Sequence, residues 1–448
     1  MPPAPINPRP LHQKVADRTA LVGVIGLGYV GLPLCRAFVD SGLTVLGFDI
    51  DPAKVDAISR GENYLKHLGP AFIADMLATG RLSATDDLDR LAEPDALLVC
   101  VPTPLGKHRE PDLSYVERTS QEIARHLRPG QLVVLESTSY PGTTREIVLP
   151  ALLASRLPLA SPAGTDGFLL AFSPEREDPG RRDHTTATIP KLVGGINAQS
   201  TAAAAALYRA AIHTVVEVSS AEVAEAAKIL ENTYRAVNIA LVNELKVLFT
   251  AMGIDIWDVV AAASTKPFGF QPFYPGPGLG GHCIPIDPYY LTFKAREFGL
   301  STRFIELAGD INHAMPGFVV ERLAHALNDR AKPVRGSRVL VLGLAYKPDI
   351  DDVRESPSFE LIERLRDLGA LVDYADPHVP RTHAMRKHDL DMTAVALTPE
   401  SIAAYDAVLV STAHRAFDWR LIADHARLII DTRNALAHLG PRDNVVKA

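Results

Sequence analysis

From Leu21 onward, short apolar runs alternate with amphipathic stretches, a rhythm that predicts a parallel sheet covered by helices. LVGVI, TVLGF, ALLVCV, LVVLE, FLLAF and TVVEV predict successive strands, the last ending near Val218. The rhythm then changes. Ser219 and Ser220 can cap a helix that meets no breaker until Gly253, SSAEVAEAAKILENTYRAVNIALVNELKVLFTAMG. It is too long for an ordinary crossover and predicts a linker between two domains that also presents a dimer face. Helical pattern continues to about Asn328, after which RVLVLGLAYKPD, ALVDYADP, YDAVLVSTAH and ARLIIDTRNA restore the strand rhythm. The expected fold is α/β, two doubly wound Rossmann-like domains joined by a long central helix. Its expected divisions are a flexible tail (1–18), a first doubly wound domain (19–218), a central helical and dimerisation domain (219–328) and a second, smaller doubly wound domain (329–448).

At 448 residues the chain can build two or three domains with ample cores. A formal charge of -7 and a pI near 6.1 argue against a nucleic-acid or anionic-membrane binder, which needs broad basic surfaces. Any anionic ligand must be met by a local cluster of Lys and Arg. Three widely spaced cysteines, Cys35, Cys100 and Cys283, form no CxxC pair and no metal-ligand spacing. They fit a reducing compartment, read as the cytoplasm, with no structural zinc or other metal. The opening MPPAPINPRPLHQK is proline-rich without an apolar h-region, which suggests a tail rather than a signal peptide. No apolar stretch is long enough to span a bilayer.

VGVIGLGYVGLPLCRAFVDSG places Gly26, Gly28 and Gly31 directly after a strand and at the mouth of a helix, the setting of a dinucleotide-binding turn. Gly26 permits the turn, Gly28 lets a pyrophosphate approach the backbone and Gly31 lets the helix pack on the strand, with Tyr29 and Val30 between them at the phosphates. Asp49 ends the second strand in TVLGFDID, where a carboxylate holds a ribose diol and repels a 2′-phosphate. NAD is therefore expected over NADP, and 19–218 is read as the NAD-binding domain. Asp51 takes the role of Asp49 if the strand ends later. Pro102-Thr103-Pro104 and Ser137-Thr138 end two further strands and should face the same crevice. Cys35 and Cys100 sit in apolar segments and are read as core. Gly343 follows a strand of the last domain without a complete GxGxxG, so no second dinucleotide is expected there.

PGPGLGGHCIPIDPYY, residues 275–290, sets Cys283 on a glycine-rich loop with Asp287 four residues on. Such a loop lets backbone approach a ligand, and an ionised thiol there can attack an electrophile. Lys228 and Asn232 lie four apart on one face of the long helix. GLGYVGLP, the Lys228 and Asn232 pair, GGHCIPIDP and GLAYKPDIDDVRESPS resemble, in the same order and at similar spacing, the motifs of the UDP-glucose/GDP-mannose dehydrogenases, from about Leu21 to Asn434. That resemblance implies oxidation of a nucleotide sugar's C6 alcohol to a carboxylate, with two NAD consumed at one active site. It also implies roles: Cys283 as nucleophile, Lys228 and Asn232 as donors to the oxyanion, and Asp287 positioning water or lysine. Glu175 in FSPEREDPG corresponds to the glutamate linked with thioester hydrolysis, and Thr138 to the threonine supporting it. Phe273, Tyr274, Gly278 and Gly280 are expected to contact the substrate. Lys347 and Arg433 correspond to basic contacts of the nucleotide, and Arg354 is expected on the cofactor side, reaching phosphate across a domain interface. Residues 329–448 are then the UDP-sugar-binding domain, and a homodimer or higher homo-oligomer is expected.

The chemistry fits these residue types. Thiolate addition keeps the intermediate aldehyde from escaping, as a thiohemiacetal whose alkoxide needs donors. A second hydride loss gives a thioester, which water activated by Glu175 releases as the acid. The chain departs from the glucose branch where Arg176 follows Glu175, where Pro179 replaces a second glutamate, and where Ile286 replaces the lysine before the aspartate. STKPFGFQPFYPGPGLGGHCIPIDP is most similar to the UDP-N-acetylglucosamine 6-dehydrogenases, with Arg176 a candidate donor to the acetamide carbonyl. The alternatives are the UDP-N-acetylmannosamine and UDP-glucose enzymes and, more remotely, a one-step β-hydroxyacid dehydrogenase, which needs no Cys283. A non-catalytic NAD-binding protein would be expected to lose part of the Cys283, Lys228 and Glu175 set.

Overall fold

The computed structural model describes residues 9–65, 68–106, 110–161, 166–176, 186–281, 283–383, 385 and 388–448. Packing divides the chain into two units, Met1–Glu231 with Tyr289–Leu300, and Asn232–Pro288 with Ser301–Ala448.

The first unit is built on an eight-stranded sheet of β1 (Leu21–Ile25), β2 (Thr44–Phe48), β3 (Leu82–Thr85), β4 (Ala96–Val99), β5 (Leu132–Leu135), β6 (Leu169–Phe172), β7 (Lys191–Gly195) and β8 (Val215–Glu217). Their order is β3-β2-β1-β4-β5-β6-β7-β8. All pairings are parallel except β6 with β7. Every residue of β4 and β5 is buried, because a parallel sheet between helices has two covered faces. The six expected strands form, and β3 and β7 join them. The expected flexible tail is corrected in part: Leu11–Ala16 is a helix whose Leu11 and Val15 enter the core, and Lys14 Nζ lies 2.7 Å from Asp95 Oδ1.

The second unit carries the parallel sheet β9 (Arg338–Leu342), β10 (Leu371–Ala375), β11 (Ala407–Val410), β12 (Ile429–Asp431) and β13 (Val445–Lys447) in the order β10-β9-β11-β12-β13. The long helix is continuous over Ala221–Ala251. Its later turns pack beside the helix Arg303–Asn328, where Asn243 Nδ2 donates to Asn312 Oδ1 at 2.8 Å. Asn243 Oδ1 accepts from the Gly276 N–H at 3.0 Å, which ties the glycine-rich loop to the helix.

Candidate active site

In the first unit the glycine turn follows β1 as expected. Gly26 has φ +94, and a Cβ there would stand 2.5 Å from the Cys100 carbonyl oxygen; one at Gly31 would stand 1.9 Å from the Gly26 carbonyl oxygen. Side chains are thus excluded where helix, turn and strand meet. A Cβ at Gly28 would meet nothing within 4 Å, the open ground a pyrophosphate needs. Asp49 directly follows β2 and is buried. Its Oδ2 accepts from the Leu27 N–H at 2.9 Å and Lys54 Nζ at 3.0 Å, and its Oδ1 from the Asp51 N–H at 3.0 Å. One carboxylate therefore anchors the glycine turn to the end of β2. Asp51 is exposed and caps the helix Pro52–Ser59 by accepting from the Ala53 N–H. Thr103 and Ser137 lie in the segments that follow β4 and β5: Tyr290 Oη donates to the Thr103 carbonyl and Ser137 Oγ to the Val101 carbonyl. Thr138 is half-buried beside them. Cys35 is in the core, where burial pushes its thiol up to about 12, and Cys100 packs against that core.

After β6, the peptide Pro174-Glu175 is gripped at consecutive carbonyls. Lys191 Nζ donates to the Pro174 oxygen at 3.2 Å, and Lys228 Nζ, from the long helix, donates to the Glu175 oxygen. Glu175 Oε1 accepts from the Arg176 N–H at 2.7 Å. Arg176, expected as an acetamide donor, has its Nη2 and Nε paired with Glu231 at 2.6 and 3.3 Å, and its Nη1 donates to the Pro190 carbonyl at 2.8 Å. Glu177, Asp178 and Pro179 lie outside the described residues. Sequence reasoning missed Lys191 and Glu136 as a pair, although each is a charge next to an apolar run. It also missed Glu225, which accepts from the Gly142 N–H (2.6 Å), the Thr144 N–H (2.8 Å) and Thr144 Oγ1 (2.7 Å), and so fastens the long helix to the loop after β5.

In the second unit the Cys283 carbonyl accepts from the N–H groups of Ile286 (3.0 Å) and Asp287 (2.8 Å), a turn that opens the helix Asp287–Glu297. Asp287 is buried, and its Oδ2 accepts from Asn232 Nδ2 at 2.6 Å. The Cys283 backbone therefore turns directly onto the acid that Asn232 binds. The loop's glycines explain its seat. A Cβ at Gly280 would stand 2.6 Å from Tyr346 Cβ, and Gly281, at φ +87, donates its N–H to the Arg354 carbonyl at 3.2 Å. Lys347 follows Tyr346, and its Nζ lies 5.7 Å from that ring's centroid. Arg433 Nε donates to the Ser411 carbonyl at 2.8 Å, its Nη1 is 2.3 Å from where a Gly276 Cβ would be, and burial pushes its guanidinium down to about 10. Thus Arg433 lies against the loop at Gly276, and Tyr346, the residue before Lys347, lies against it at Gly280. Arg354, expected to reach a phosphate, spans Asp352 in the free chain, with Nε 2.9 Å from Oδ1 and Nη2 2.5 Å from Oδ2. Tyr274 stacks on Trp257 with centroids 5.5 Å apart, and Phe273 meets Tyr234 edge-on. Asp349, His378 and His414 bring possible metal ligands within 4.8 Å of one another, but His414 is committed at both nitrogens, to the Asp349 N–H and to Asp376 Oδ2.

A glycine turn after β1 with a buried carboxylate after β2 is the pattern of a dinucleotide-binding domain. Models of the UDP-glucose/GDP-mannose dehydrogenase family match in order: its NAD binding domain over residues 20–212, its central domain over 222–314 and its UDP binding domain over 340–438. The chain belongs to this family and is a nucleotide-sugar 6-dehydrogenase that uses NAD. It is similar to the UDP-N-acetyl-D-glucosamine 6-dehydrogenase of Pseudomonas aeruginosa, 38% identical over 88% of this chain and 91% of that one. A UDP-N-acetyl-D-mannosamine dehydrogenase of Pyrococcus horikoshii is 34% identical over 93% of this chain and 96% of that one. Among solved structures, one titled as the UDP-D-ManNAc dehydrogenase of Pyrococcus horikoshii superposes with a TM-score of 0.84 at 32% identity, covering 95% of this chain and 98% of that one. No helix among the described residues is long and apolar enough to cross a membrane.

Proposed function

We propose that the chain oxidises the C6 alcohol of a UDP-N-acetylhexosamine, UDP-N-acetylglucosamine first, to the uronic acid through thiohemiacetal and thioester intermediates on Cys283. The observation carrying this reading is the buried Asn232 to Asp287 bond, joined to the turn that starts at Cys283. NAD, when bound, takes up a hydride in each of two oxidations. The alcohol first loses hydride and its hydroxyl proton to become an aldehyde, and the Cys283 sulfur adds to that carbon while Asn232 and Lys228 donate to the oxygen. A second hydride loss gives the thioester. Water then adds to its carbonyl carbon, Glu175 takes a proton from that water, and the carbon–sulfur bond breaks to return the thiol. Thr138 supports this last step, Asp287 orients Asn232, and Lys347 and Arg433 meet the nucleotide.

The choice of acetamido sugar is supported by the names of the Pseudomonas and Pyrococcus relatives and by the STKPFGFQPFYPGPG loop. Purified protein should release two NADH per acid formed and prefer UDP-N-acetylglucosamine to UDP-glucose in kcat/KM; one NADH per product would instead mark a one-step alcohol dehydrogenase, and a preference for UDP-glucose would move the substrate to that branch. Arg176→Ala belongs in the same assay. Equal losses on both sugars identify the Glu231-bound arginine as structural, whereas a loss confined to the acetamido sugar returns it to recognition. A cytoplasmic homodimer completes the reading: the cysteines form no disulfide among the described residues, and the long helix carries an exposed apolar stripe.

A further inference from the structure

Behind Glu175 lies a buried charge cluster with no role in the chemistry above. Glu136, at the end of β5, is 1% exposed, and Lys191, the first residue of β7, is 4% exposed. Lys191 Nζ is 2.5 Å from Glu136 Oε2 and 3.9 Å from Glu175 Oε2, and it also donates to the Pro174 carbonyl. The other oxygen of Glu136 accepts from Tyr208 Oη, and the Lys191 ammonium lies over that ring, 5.3 Å from its centroid. The segment is held from its other side by Ser173, whose Oγ donates to the Leu192 carbonyl at 2.7 Å and whose N–H donates to the Leu135 carbonyl at 3.0 Å.

Taking a lysine and a glutamate out of water is costly, and an apolar pair of the same volume fills such a space at least as well, so stability alone is a weak reason for the arrangement. Burial works against the Lys191 charge, but the carboxylates of Glu136 and then Glu175 outweigh it and hold the ammonium above its ordinary value. The cation faces two carboxylates at once. Glu136 receives the short contact and the tyrosine, which fixes Lys191; Lys191 in turn fixes the carbonyl just before Glu175 and keeps a cation near its carboxylate.

We infer that Lys191, held by Glu136 and Tyr208, is a positioning residue for thioester hydrolysis, setting Glu175 in the orientation from which it takes a proton from the attacking water. This rests on the reading of Glu175 as the hydrolytic base. In the acyl-enzyme, water must be aimed at the thioester carbonyl, and a carboxylate on an unrestrained loop would sample many orientations in which it is not. The two lysines gripping adjacent carbonyls remove that freedom.

The test is the double variant Lys191→Met/Glu136→Gln, which removes both charges together and leaves no buried ion unpaired. On UDP-N-acetylglucosamine its kcat should fall about tenfold or more, the scale of one lost charge-assisted hydrogen bond, with KM within about twofold. Intact-mass spectrometry during turnover should show a sugar acid adduct on Cys283. Turnover within about twofold of wild type and no adduct would overturn the inference. Glu175→Gln, run alongside, separates the two levels: if it too turns over without an adduct, the hydrolytic reading fails, and if it traps the adduct while the double variant does not, only the role of Lys191 fails. Should the double variant not fold, Tyr208→Phe decides. It loosens Glu136 but keeps the ion pair, so a several-fold lower kcat with visible adduct supports the inference and an unchanged enzyme overturns it.

Discussion

At the scale of single residues, two carboxylates and one thiol carry most of what can be tested. Asp49 anchors the Leu27 N–H, and we read it as the partner of the cofactor's ribose. Asp49→Ala should weaken NAD by roughly 1.5–3 kcal/mol and narrow the preference over NADP, because a charged acceptor is lost and a 2′-phosphate is no longer repelled. Titration of each cofactor checks it; unmoved NAD affinity would transfer the role to Asp51, whose own carboxylate caps a helix. Cys283→Ser keeps the size of the side chain and loses thiolate chemistry. Release of the uronic acid should be abolished while UDP-sugar binding stays largely intact, and steady turnover at the wild-type rate would remove the covalent route.

At the scale of elements, the long helix was legible and its fastening was not. An unbroken run of good helix formers between Ser220 and Gly253 specifies Ala221–Ala251 almost to the residue. Glu225 reads on that helix as one more solvated acid, yet it is buried against three donors that come from sequence positions about eighty residues away. The missed strand β7 has a similar cause. KLVGG ends in two glycines, and a Cβ at Gly194 would stand 2.1 Å from the Ser220 carbonyl oxygen, so tertiary approach selects residues that weaken the strand signal. The reach of Arg176 and Arg354 was likewise invisible, since an arginine's partner depends on which acids the fold delivers. Burial pushes the Glu225 carboxyl up to about 7 from an ordinary 4.5, although its three donors pull the other way. The folded chain therefore keeps a proton that the unfolded chain has already released. This contribution is fully present below about 4.5 and is lost as pH rises through about 7. Relative to Glu225→Gln, wild type should lose up to a few kcal/mol of stability between pH 5 and 8. Urea melts of the two proteins at several pH values test it, and parallel stabilities would show that the donors prevail over burial.

For the whole molecule, the remaining question is what covers the apolar side chains that the single chain leaves in water. On the long helix Val223, Leu230, Tyr234, Leu241 and Leu248, and Met252 just past its end, are 44, 67, 48, 51, 51 and 59% exposed. Their spacings of seven and four residues place them along one stripe, the pattern of a helix that packs against another helix. A second copy of the chain is the occupant that best fits, because a two-fold interface presents the same stripe from both sides. Sedimentation should give a dimer for the wild type. In the variant Leu241→Glu/Leu248→Glu the two-fold removes four half-exposed leucines from the interface, and at ~0.75–1.5 kcal/mol for the half of each still to be buried the loss is roughly 3–6 kcal/mol, about a hundredfold or more in Kd. That variant should sediment as a monomer at micromolar concentration with its circular dichroism unchanged. A wild type that is already monomeric there, or a variant that remains dimeric, would assign the stripe to some other contact and remove the dimer from the account.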